Sequence, residues 1–124
     1  MTDGQLKRSQ YWARTATRIA QEAKESHKHG VYDRAIRKAQ ESVELFLKSK
    51  LIALGIEPAK THDLRFLAEP LKSTLPVDIA AGLDFLTSER IPSFYGADDF
   101  IPDEAYEVGD SERALEVLQK LGLG

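Results

Sequence analysis

Arg90 opens the run with the most chemically useful side chains in the sequence, RIPSFYG, from Arg90 to Gly96. A guanidinium grips phosphate as a planar fork. Tyr95 follows after four intervening residues and offers a hydroxyl that can donate a hydrogen bond to the same anion. It titrates near 10 when unperturbed, too high for an efficient general base at neutral pH. The structural alternative is that Arg90 pairs with Glu89, Asp98 or Asp99, while Phe94 and Tyr95 pin a loop to the body of the protein.

The three histidines are His27, His29 and His62. His27 and His29 stand two apart near a helix end and face different directions, which makes a poor metal site and a better source of positive charge at a helix C-terminus. His62 beside Asp63 resembles an acid–base pair, but neighbouring helical residues do not face each other, and packing at the start of the third helix suits it better. The chain has no cysteine, which excludes disulfides, thiol catalysis and Cys-based zinc sites. It has no GxSxG, no GxxxxGK[ST] and no GxGxxG. The acidic run DDFIPDEAYEVGDSE lacks the spacing of a calcium loop and reads as a solvated loop. No catalytic residue, metal or cofactor is expected.

The elements that carry these residues read as helices throughout. Trp12, Ala16, Ile19, Ala20 and Ala23 form one stripe of a helix predicted from Leu6 to His29, stopped by Gly30. Ile36, Ala39, Val43, Phe46, Leu47, Ile52 and Leu54 form the stripe of a second, from Tyr32 to Leu54, which Gly55 ends. Leu45 lies off that stripe, so the apolar face is wider than one partner helix needs. Thr61 is the expected N-cap of a third helix bearing Leu64, Phe66, Leu67 and Leu71, shortened or kinked at Pro70. Pro76 is expected to open a fourth, with Ile79, Leu83, Phe85 and Leu86 inward. Glu89 to Gly109 reads as a long ordered loop, and Asp110 or Ser111 as the cap of a last helix carrying Ala114, Leu115, Val117, Leu118 and Leu121. The fold class is all-α, an up-and-down bundle of two long and about three short helices. The 124 residues form one domain, 1–124.

Charge is divided unevenly. Residues 1–60 carry twelve Lys/Arg and seven Asp/Glu, a net of +5, and residues 61–124 carry five and thirteen, a net of −8. Such a split suits an anion-binding face or self-association, and equally two solvated faces of different composition. No run approaches the ~20 apolar residues of a membrane span. The opening MTDGQLKRSQ has no apolar signal core, so a cytoplasmic location is expected.

The segment HGVYDRAIRKAQESVELFLKSKLIALGIEPAKTHDLRFL resembles the core of the HEPN domain, the nucleotide-binding domain named for higher eukaryotes and prokaryotes. Gly30, Tyr32 and Ala35 match its G-x-Y-x-x-A helix start. Gln40, Glu44, Leu47 and Lys48 match Q-x-x-x-E-x-x-L-K, and Thr61, His62 and Leu64 match T/G-H-x-L. The closing part is similar too: an R-x-P loop, then Pro102 and Tyr106, then a helix of alanines and leucines. The resemblance runs from about Arg8 to Leu121. Each matching residue also has a plain role in any bundle, so the likeness rests on their order and spacing.

That resemblance implies a helical bundle that pairs as a homodimer. It implies one of two functions. The first is a binding module for a nucleotide or RNA, or for a small nucleotidyltransferase partner, as in toxin–antitoxin pairs. The second is a metal-independent ribonuclease with an Arg-x(4–6)-His motif. Here four intervening residues after Arg90 lead to Tyr95, five or six lead to Gly96 or Ala97, and no histidine follows His62. The degenerate Arg-x4-Tyr therefore argues for the binding module, with Arg90, Tyr95, His62 and Lys48 as candidates for nucleotide or phosphate binding. The alternative is an RNA-cleaving enzyme using Arg90 with Tyr95, or with His62 brought in by folding.

Overall fold

A computed structural model of the chain describes residues 2–90 and 101–124. Among these residues every regular element is helical: α1 Asp3–Lys28, α2 Tyr32–Ala53, α3 Leu64–Ala68, a 3₁₀ helix Glu69–Thr74, α4 Ala80–Ser88, α5 Pro102–Ala105 and α6 Val108–Lys120. The all-α expectation and the two long helices hold. Tyr95, Phe94, Asp98 and Asp99 lie outside the described residues.

The long hairpin α1–α2 is the frame. Thr2 caps α1 reciprocally: its hydroxyl accepts from the Gln5 amide at 3.1 Å, and the Gln5 side chain accepts from the Thr2 amide at 2.8 Å. The helix therefore starts three residues before the Leu6 that apolar spacing alone suggests. Gly30, at φ +77°, ends it. The Gly30 amide reaches the His27 carbonyl and the Val31 amide the Ser26 carbonyl, a Schellman turn that lets α2 start almost at once. The hairpin closes tightly because alanines meet alanines. Ala16, Ala20 and Ala23 of α1, and Ala35 and Ala39 of α2, are all fully buried. Small side chains let backbones approach, and two serines use that proximity. Ser42 donates to the Ala16 carbonyl at 2.6 Å, and Ser9 donates to the Ser49 carbonyl at 2.9 Å.

The other elements cover the remaining apolar face of α2. Ile36, Val43 and Leu47 are fully buried together with Leu64, Leu83, Leu86 and Leu118 from α3, α4 and α6. Burying each large aliphatic side chain contributes about 1.5–3 kcal/mol. The width of the α2 stripe is thus used inside the chain, with Leu45 packed partly buried against the core. Leu54, placed on the stripe by sequence, is 60% exposed because it lies past the end of α2.

Several boundaries differ from the sequence reading, for local reasons. Asp63, not Thr61, caps α3: its carboxylate accepts from the Phe66 amide at 3.2 Å, while Thr61 accepts from the Asp63 amide. Phe66, expected inward, is 62% exposed. A helix of five residues has room for one buried side, taken by Leu64, Leu67 and Ala68. Pro70 stands in the first turn of the 3₁₀ helix that follows α3, a position where its missing amide hydrogen is tolerated. Pro76 begins a turn in which the Ile79 amide reaches the Pro76 carbonyl, and α4 proper starts at Ala80. Within the predicted loop 89–109, Pro102 starts the short α5, and α6 begins at Val108 with Glu107 as its cap. Asp110 serves that start by accepting from the Glu107 amide at 2.9 Å.

Candidate functional site

A groove of about 280 Å³ opens where α2 meets the segment before α3 and the chain just past α4, lined by Gln40, Glu41, Glu44, Leu45, His62 and Arg90. Its floor comes from helical spacing. Gln40, Glu44 and Lys48 stand four apart on α2 and share one side. Gln40 donates to Glu44 Oε1 at 3.1 Å, and Lys48 Nζ donates to Glu44 Oε2 at 3.0 Å. Glu44 and Lys48 are largely enclosed, with side chains 14% and 15% exposed.

His62 arrives from the α2–α3 connection. The Thr61 amide turns back to the Ala59 carbonyl, and the Asp63 cap fixes the next residue, so the imidazole between them projects onto α2. Its Nδ1 sits 2.8 Å from Glu44 Oε1. Opposite an ionised carboxylate, a neutral imidazole carries its proton on Nδ1, which leaves Nε2 as an acceptor. His62 thus meets Glu44, a residue remote in sequence, and not its neighbour Asp63.

Glu44 is the hub. Burial pushes its carboxyl upward, but the donors His62, Lys48 and Gln40 outweigh that and hold it below the ordinary value of 4.5. The site is therefore a largely enclosed carboxylate held by three neighbouring donors, with Arg90 lining the same groove. Arg90 and Lys48 balance Glu41 and Glu44 in charge, so a proton on His62 tips the groove positive.

Of the four sequence candidates, the fold brings Arg90 and His62 into one groove and ties Lys48 to it through Glu44. Tyr95 is outside the described residues. Glu44 and Gln40 were missed as site members, although the four-residue spacing Gln40–Glu44–Lys48 is visible in the sequence. Tyr106 anchors the neighbouring position: its hydroxyl donates to Glu89, the residue before Arg90, at 2.5 Å. Burial first, and the Glu89 carboxylate second, push the Tyr106 phenol well above its usual range.

The other histidines are structural. His27 Nδ1 lies 2.7 Å from the hydroxyl of fully buried Ser111, joining α1 to α6, and its ring meets Tyr32. His29 pairs with Glu25 at 3.4 Å. Among the described residues no three His, Cys, Asp or Glu side chains are grouped to hold a metal ion, and no helix is long and apolar enough to cross a membrane.

Comparison with known proteins agrees with this architecture. The family model of the HEPN domain matches residues 9–121. The crystal structure of TT1696 from Thermus thermophilus superposes with a TM-score of 0.81 at 27% identity, covering 92% of each chain. That of ST0689, an archaeal HEPN homologue, does so with a TM-score of 0.74 at 25% identity, again over 92% of each chain. Among curated proteins, none matches significantly.

Proposed function

Because the chain belongs to the HEPN domain family, we propose that it is a binding module whose groove takes the phosphate of a nucleotide, and that it works as a homodimer with a small nucleotidyltransferase partner, as in toxin–antitoxin pairs. The observation that carries this reading is the meeting of His62 and Arg90 in one groove, from segments far apart in sequence. Arg90 supplies the fork for the phosphate. His62, held through Nδ1 by Glu44, presents Nε2 to the same ligand. Lys48 and Gln40 keep Glu44 in place, so the imidazole is set before the ligand arrives and little ordering is needed on binding.

Titration of the full chain with nucleoside monophosphates tests this. A charge-assisted contact contributes about 1.5–3 kcal/mol, so Arg90→Ala should weaken binding roughly ten- to a hundredfold. Arg90→Lys, which keeps the charge and loses the fork, should fall between. Absence of nucleotide binding in the unmutated protein, with Arg90→Ala lowering the melting temperature, assigns Arg90 to the fold instead. Purification of the native protein with its bound chain, identified by mass, tests the partner.

One observation favours a second reading. Nε2 of a carboxylate-oriented histidine is a competent general base, and it shares a groove with an arginine able to stabilise a phosphorane. On that reading the chain cleaves RNA with His62 in place of a histidine after Arg90. Cleavage of single-stranded RNA that is lost in both His62→Ala and Arg90→Ala would establish it.

A further inference from the structure

A second groove, of about 460 Å³, runs between α1 and the first turns of α2. Its carboxylates have basic neighbours: Glu22 lies 3.6 Å from Lys38, and Glu25 lies 3.4 Å from His29, a contact that is ionic only when the imidazole carries a second proton. Its arginines differ. Arg18 from α1 and Arg34 from α2 line the groove, both exposed, and among the described residues neither belongs to an ion pair. Gln21 and Ser26 add a neutral amide and a hydroxyl.

Two guanidiniums from different helices, lining one groove, offer two forks to one extended anion. They are also held in place. The hairpin beneath them is closed by the buried alanines and by the Ser42–Ala16 bond, so the helices that carry the two forks cannot drift apart. A single carboxylate satisfies one fork. A terminal phosphate presents three free oxygens and an internal one two, so linked phosphates can engage both forks and still accept from Gln21 and Ser26.

We propose that the α1–α2 groove binds a short chain of linked phosphates, with Arg18 and Arg34 each gripping a different phosphate group. This site is separate from the Arg90 groove and does not rest on the reading of that groove. The chain of phosphates can come from an inorganic polyphosphate or from the tail of a nucleoside triphosphate, and both carry the same chemistry.

The test is calorimetric titration of the full chain with sodium tripolyphosphate at low salt, where screening is weak. Tripolyphosphate should bind, and the double variant R18A/R34A should lose about tenfold or more for the removed forks. R34A alone should show part of that loss, and R90A none. Orthophosphate should bind about tenfold or more weakly than tripolyphosphate, since it engages one fork. Adenosine triphosphate separates the sources: affinity equal to tripolyphosphate means that the bare chain is read, and tighter binding that R18A/R34A still abolishes means a nucleotide. Because both arginines are exposed, melting followed by circular dichroism should be unchanged in the variants. Three results would overturn the proposal: no binding of tripolyphosphate, binding indifferent to R18A/R34A, or orthophosphate binding as tightly as tripolyphosphate.

Discussion

His62 and Glu44 meet at 2.8 Å across 18 positions of sequence, and this contact ties the connection before α3 to the middle of α2. The carboxylate that receives the imidazole also receives Lys48 and Gln40, so one side chain sets the geometry of the groove.

Glu44 gives the protein an acid-sensitive element. Its folded-state pKa is below 4.5, so its contribution to stability is complete above pH 4.5 and is lost as pH falls through the lower, folded value. Glu44→Gln should flatten the acid limb of stability against pH. At neutral pH it should cost about 1–2 kcal/mol, at the low end for charged hydrogen bonds because His62 is half exposed. Urea unfolding at a series of pH values measures both; an unchanged acid limb would contradict this account.

Tyr106 should stay protonated where ordinary tyrosines ionise. Phenolate absorbance up to a pH of about 11 should then be the same in the wild type and in Tyr106→Phe. The substitution also removes the bond to Glu89 and should lower stability by about 1 kcal/mol. Because Glu89 precedes Arg90, nucleotide affinity should fall in the same variant, which a role in stability alone would not produce.

Gly82 marks a close approach of α4 to α6. A β-carbon there would lie 2.6 Å from Val117 Cγ2. Gly82→Ala should destabilise the fold by about 1–3 kcal/mol through overpacking. Val117→Ala in the same chain should recover part of that loss, so a double-mutant cycle should show favourable coupling. Additive losses would mean that α4 is not held against α6 at this point.

The His27–Ser111 contact should behave as a clasp between α1 and α6. Ser111→Ala is expected to cost about 1 kcal/mol, since it leaves a half-buried ring nitrogen without its partner. His27→Ala and the double variant complete the cycle. A coupling energy near zero would show that the two residues act independently.

Much of the fold was legible in the sequence because its signals are local. The alanine and leucine spacing of α1 and α2 fixes which side turns inward, and Gly30 and Gly55 mark both ends because only glycine takes positive φ cheaply. The order of the HEPN-like motifs carried the family across almost the whole chain, and candidates Arg90, His62 and Lys48 came from those motifs. Cap positions were less legible. Thr61 and Asp63 both offer an oxygen acceptor, and only the backbone path decides which one faces the free amides of α3. Phe66 shows the same limit, since its exposure depends on the other residues that fill the one buried side of a short helix.

What the tertiary structure alone decided is who meets whom. Sequence places His62 beside Asp63, and the folded chain turns it onto Glu44. It places His27 at a helix end as a free charge, and the fold sets it against a buried serine of α6. It shows Arg18 and Arg34 as two members of a basic half, and the α1–α2 hairpin makes them the walls of one groove. Helical periodicity specifies a residue's direction around its own axis, but contacts between helices depend on how far each is slid and turned against the next. That is settled by side-chain volume along the whole interface, here by five alanines that let α1 and α2 close together.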